Sequence, residues 1–94
     1  MSGVAFLGSI SSGHNGFKPR PIIAGSNDSF INGIPIARVG DALAIHCDND
    51  SCHTCNQATG SLTVFVNGKP LVRIGDATGC GDNIITGSLT VFSN

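Results

Sequence analysis

His14, His46, His53 and Cys80 carry the most specific chemical signal in this chain, because their spacing follows a repeat. His14 and His46 each lie six residues after a glycine, Gly8 and Gly40, and Cys80 lies five after Gly75. His53 and Cys80 each stand seven residues before a Gly-Ser step, at Gly60 and Gly87, and that register selects His53 over Cys52 and Cys55. Neutral imidazole and thiolate suit zinc, and four such ligands close a tetrahedral site with no position left for water or substrate. A closed site is structural, with metal binding adding directly to folding free energy. A competing set starts from the Cys52-x2-Cys55 pair, completed by Cys47 and Cys80 or by a histidine. The residues alone leave both sets open, together with a chain that binds no metal. Outside the first set, Cys47, Cys52 and Cys55 read as small buried or surface thiols, with a disulfide among them open once the chain leaves a reducing compartment.

The elements that must position these residues repeat. GSNDSFINGIPIARVGDAL at 25–43 returns as GSLTVFVNGKPLVRIGDAT at 60–78, and GSLTVF opens again at 87. Aligned on RxGD, VAFLGS at 4–9 takes the place of IARVGD at 36–41 and LVRIGD at 71–76, so the chain starts halfway through a unit and stops halfway through one. The repeats are then 25–59, 60–86 and a split copy made of 87–94 plus 1–24, within one domain over 1–94. Pairing the terminal strand with the initial one closes a pseudo-threefold ring without free sheet edges, and gathers the His and Cys positions toward one axis.

Each unit reads as a β-hairpin. SLTVFV at 61–66 runs into Asn67-Gly68 and then KPLVRI at 69–74, and Asn32-Gly33 sits between the matching halves of the first copy. Asn-Gly supplies the two positive-φ positions of a type I′ turn. Pro35 and Pro70 make the return strands locally edge-like. Alternation predicts an apolar face of Leu62, Val64 and Val66 against Ser61, Thr63 and Phe65, repeated by Leu89 and Val91. No amphipathic helical window occurs, which leaves room for at most a short helical turn near 47–57. Arg38 and Asp41, and Arg73 and Asp76, are replaced together by Phe6 and Ser9 in the split copy, a joint loss that suggests each Arg and Asp serve one another. The reading favoured from the residues alone is the plainer one, a solvent-exposed pair with the Asp holding a Gly-Asp turn.

Composition narrows the function. Net charge is -1 with 12% charged residues, which offers no basic field for nucleic acid. The first cationic side chain is Lys18, and no leader of the basic-then-apolar kind precedes it; no apolar run is long enough to span a membrane. The expectation is synthesis in the cytoplasm without a signal peptide. Thirteen Gly, four Pro and five Phe with no Trp or Tyr describe many turns and a thin core, which a metal staple would supplement.

PIARVGD at 35–41 and PLVRIGD at 70–76, each after an Asn-Gly turn, together with the strand GSLTVFVNG, resemble the PAAR-repeat family. Ile36-Ala37 and Leu71-Val72 stand for the Ala-Ala of the motif, and the split copy lacks its Pro and Arg. The resemblance covers nearly the whole chain. It implies an all-β cone, a β-pyramid, stapled near its apex by a zinc held by three His and one Cys, which map onto His14, His46, His53 and Cys80. It implies a function too: a membrane-piercing tip, not an enzyme, that caps the homotrimeric β-helical spike of a contractile injection machine, one cap per trimer. The base of the cone would extend the spike strands and the zinc end would meet the target membrane transiently. With repeats reaching both ends, the expected form is a bare tip, either a phage-tail component of the virion or a tip secreted by a type VI apparatus.

Two other classes compete. A free-standing zinc-binding interaction module, resting on Cys52-x2-Cys55, predicts a monomer with no affinity for a spike. A small hydrolase using His46 or His53 with Cys52 or Cys55 as nucleophile lacks an orienting third partner and room for a cleft.

Overall fold

The computed structural model describes residues 2–13, 17–48 and 51–94, with the backbone alone described for 46, 48 and 51. Its strands are β1 (Ser2–Gly3), β2 (Phe30–Ile31), β3 (Ile34–Pro35), β4 (His46–Asp48), β5 (Ser51–His53), β6 (Phe65–Val66), β7 (Lys69–Pro70) and β8 (Phe92–Ser93), with no helix among the described residues. They pair antiparallel as β2 with β3, β6 with β7, β4 with β5, and β1 with β8. Asn32 and Gly33 have φ of 50° and 80°, and Asn67 and Gly68 of 55° and 76°. These are the positive angles that a type I′ turn needs, so the hairpins form where Asn-Gly stands. The third pairing joins the two ends of the chain, with Gly3 opposite Phe92 and Ser2 opposite Ser93. The ring is closed.

Closure is most direct at the axis. The Ala5 N–H donates to the Val72 carbonyl (2.9 Å), Val72 to Ala37 (3.1 Å) and Ala37 back to Ala5 (3.1 Å), a cycle of hydrogen bonds around three equivalent residues that are all fully buried. A second cycle surrounds it, in which Leu7, Val39 and Ile74 donate to the carbonyls of Pro35, Pro70 and Gly3. Pro35 and Pro70 fit because the missing N–H is not needed there while their carbonyls are used.

The repeated Gly-Ser step explains itself at the same level. A Cβ on Gly60 would lie 2.7 Å from the Leu71 carbonyl oxygen, and one on Gly87 2.8 Å from that of Val4, so only glycine lets the incoming strand approach. The serine that follows is buried, and its hydroxyl accepts the two N–H groups two and three residues on: Ser26 from Asp28 and Ser29, Ser61 from Thr63 and Val64, Ser88 from Thr90 and Val91. These serine turns end the regular strand early. The strand expected over 61–66 is therefore only Phe65–Val66, and the expected apolar face does not form: Val66 is buried, whereas Leu62 and Leu89 are 91% and 88% exposed. Local side-chain-to-backbone hydrogen bonds have outcompeted period-2 pairing.

The Arg and Asp pairs are buried at their carboxylate ends. Arg38 donates from Nε to Asp41 Oδ2 (3.0 Å) and from a terminal nitrogen to Oδ1 (2.8 Å), while its own backbone N–H meets Oδ2 at 2.7 Å. Arg73 and Asp76 repeat this at 3.0, 2.9 and 2.7 Å. The carboxylate hydrogen bonds hold both guanidinium groups above their ordinary pKa. In the split copy the Ser9 hydroxyl accepts the Phe6 N–H at 3.0 Å, doing the carboxylate's backbone task without a charge. That is why Arg and Asp leave together, and why the expectation of a solvent-exposed pair does not describe them.

The core has two parts. Val4, Ile31, Val66 and Leu71, with Ile36 against them, pack beneath the hairpin turns. Ala5, Ala37 and Val72 of the axial ring pack with Ile22, Leu43, Cys55 and Ile84, with Val39 and Cys80 against them. The second part leads to the histidines and cysteines.

Candidate metal centre

The arm that carries most of the candidate ligands grows out of the core without a break. Leu43 bridges to Ile22, and its N–H donates to the Cys55 carbonyl at 2.8 Å, which brings the two legs of the arm together. Beyond them β4 and β5 pair with His46 opposite His53, Cys47 opposite Cys52 and Asp48 opposite Ser51. The segment around 47–57 is thus a hairpin and not a helical turn. Two neighbouring loops close on it. Phe17 sets its ring against that of His53, centroids 4.2 Å apart, and Arg20 Nε donates to the Ile45 carbonyl at 3.0 Å. From the other side, Gly79 donates to the Asn56 carbonyl (2.9 Å) and Cys80 N–H to the Thr78 hydroxyl (3.2 Å). The buried Asp82 carboxylate accepts from the Thr78 hydroxyl and from Gly13 N–H (2.9 Å), tying the loop after Gly75 to the loop after Gly8.

This packing brings His53, Cys55 and Cys80 into one group, with a donor atom from each within 4.8 Å of the others. Cys55 is 7% exposed and belongs to the core, while Cys80 is partly exposed beside it. The sulfurs of Cys55 and Cys80 are joined as a disulfide, Cα to Cα 5.7 Å, and Cys47 and Cys52 as another, at 4.1 Å, so no cysteine is free.

Of the residues singled out by repeat spacing, His53 and Cys80 meet. His46 faces His53 in backbone register, its side chain outside what is described, and His14 lies outside the described residues altogether. The group contains one donor that the repeat register set aside, Cys55. The structure alone marks it: Cys55 and Gln57 are buried on either side of exposed Asn56, an alternation that the polar Asn56-Gln57 pair does not show in the sequence. What spacing could not provide is its meeting with Cys80, 25 residues away. Cys47 and Cys52, read as unpartnered thiols or as a disulfide, are cross-strand neighbours and bonded.

The group suits a soft or borderline cation. A tetrahedral zinc holds thiolate at about 2.3 Å and imidazole at about 2.0 Å, which sets donors roughly 3.5 Å apart. The three donors here lie within 4.8 Å of one another, and the two bonded sulfurs must part to take such an ion. Two thiolates and an imidazole are also the donor types that such an ion selects. A disulfide sulfur carries no thiolate charge, so the bond between Cys55 and Cys80 and a metal on them are alternative states of one pair of atoms.

The model of the PAAR motif family matches residues 12–86, most of the chain and all of its complete repeats. The chain belongs to the PAAR family. No curated protein matches it. Membership of the PAAR family accounts for the all-β architecture and for a His and Cys group able to hold a metal ion, and it implies spike-tip function in contractile injection systems.

Proposed function

We propose that this PAAR protein is a structural cap on the homotrimeric spike of a contractile injection machine, one chain per trimer, bound through its hairpin end. The observation that carries the reading is the surface at that end. Phe30, Phe65 and Phe92, equivalent residues of the three repeats, are 52%, 56% and 50% exposed, and Phe30 and Phe92 line a cup of about 510 Å³ together with Val4, Ile36, Leu71, Val64 and Val91. Exposed phenylalanines of a single chain, set in threefold register, match a partner with its own threefold axis. Leu62 and Leu89 are exposed as well and serve no core.

The opposite, cross-linked end then leads, and meets the target membrane transiently. The ion is zinc, held by His53 and Cys80 with Cys55 and completed by His46 or His14, and its task is rigidity, with no turnover. The chain travels either on a phage tail or through a type VI apparatus. The free-module reading leaves the apolar cup without a use.

The test is mixing the purified chain with the trimeric spike encoded beside it and weighing the complex by native mass spectrometry. One cap per three spike chains is expected, and Phe65→Asp combined with Phe92→Asp should abolish the complex without unfolding the cap. No complex at micromolar concentration would overturn the reading.

A further inference from the structure

We propose that Cys55 and Cys80 form an exchangeable staple: as thiolates they hold a metal ion together with His53, and on meeting a disulfide oxidant they bond to each other and expel the ion, so that the arm stays tied to the loop after Gly75 in both states. The proposal rests on the metal reading above. Its geometric basis is that one group of atoms satisfies both demands. The three donors lie within 4.8 Å, as a shared ion requires, and the two cysteine Cα atoms are 5.7 Å apart, inside the range of an unforced disulfide. A metal site needs its thiolates close; a disulfide needs them closer along the same line, so no backbone rearrangement separates the states.

The exchange balances with a small-molecule disulfide as co-reactant. Cys80, the more exposed of the pair, attacks one sulfur of that disulfide and releases one thiolate. The buried Cys55 then attacks the Cys80 sulfur of the mixed disulfide and releases the second. Two electrons pass from the cysteine pair to the small molecule, its two sulfurs take up protons from water, and the metal ion leaves because a neutral disulfide is a poor ligand. His53 remains against Phe17, free of the ion. Cys47 and Cys52 stand apart from this exchange: they are bonded across β4 and β5 and are not members of the three-donor group.

The experiment uses the full chain and its C47S/C52S variant, purified in reductant with zinc, then exchanged into oxidised glutathione. Zinc release is followed with a chromophoric chelator and disulfides by tryptic mapping. Cleavage after Arg38 and Arg73 places Cys55 and Cys80 on different peptides, so in the variant any cross-link between those peptides is the Cys55 to Cys80 bond. Expected is about one zinc per reduced chain, released in step with that cross-link, with reductant and zinc restoring the starting state. Because Cys80 is the entry point, C80S should neither cross-link nor bind zinc tightly. Zinc that stays bound after the cross-link is complete, or zinc binding unchanged in C55S, overturns the exchange while leaving a metal site standing. Reduced protein that binds no zinc overturns both. Should C47S/C52S fail to fold, the native chain gives the same answer by counting cross-linked peptides against zinc released.

Discussion

Around the axial ring every feature has counterparts: the Ala5, Ala37 and Val72 hydrogen bonds, the serine turns at Ser26, Ser61 and Ser88, the close approaches at Gly25, Gly60 and Gly87. At the His and Cys end the elements seen among the described residues are not repeated. The β4 and β5 arm occurs once, as do its two cross-links and the contact of Phe17 with His53. The ring is held by backbone geometry, which three similar stretches of chain can satisfy in turn. The other end consists of one hairpin arm and loops of unequal length, and among the described residues it is cross-linked by two disulfides. A chain this small, whose largest fully buried side chains are Ile22, Ile84 and Val72, has too little apolar volume to order such loops by packing. The difference shows a division of labour: repetition makes a symmetric platform, and cross-linking makes a rigid, unsymmetrical point.

The largest test of this contrast removes the staple. Replacing Cys55 and Cys80 together by Ala should cost about 3 kcal/mol under oxidising conditions, as expected for opening a loop of this length, and calorimetry should show it. If the two ends are independent, hydrogen exchange should rise in the arm and in the loop after Gly75 while the Ala5, Ala37 and Val72 amides stay protected.

A smaller effect probes the ring. Arg73→Phe leaves the buried Asp76 carboxylate without its guanidinium and should cost about 2 kcal/mol, discounted because Arg73 is partly exposed. Adding Asp76→Ser rebuilds the arrangement of Phe6 and Ser9 and should recover most of the loss in denaturant unfolding. A double variant no better than the single would show that the copies are not interchangeable.

The smallest effect is a gain. Gln57 occupies the place held by Ile22 and Ile84 in the other units, is 2% exposed, and its amide nitrogen and oxygen meet no hydrogen-bond partner among the described residues. Gln57→Ile should raise stability by about 1 kcal/mol, read as a higher melting temperature.

Much of the ring was legible because its rules are local. Asn-Gly enforces a turn, a Pro on the return strand declares which N–H is not needed, and the simultaneous loss of Arg and Asp at Phe6 and Ser9 betrays a pair. Leu62 shows where local reading failed. Its alternation with Val64 and Val66 was genuine, but the Ser61 hydroxyl captured the backbone, and the leucine is left exposed. The candidate site was legible only in part. Register found His53 and Cys80 because both hang from repeated steps, and passed over Cys55 because its meeting with Cys80 joins segments 25 residues apart.

By itself the sequence determined the repeat, the turns and the family, since each depends on residue types a few positions apart, and the half-unit at each end implied the closure of the first strand on the last. Only the tertiary structure decided which sulfurs meet, how deeply Asp41 and Asp76 are buried, and that the half-exposed Phe30 and Phe92 line one cup. Those are distances between segments remote in the chain, and they exist only once the axial hydrogen bonds have drawn three hairpins around a common line.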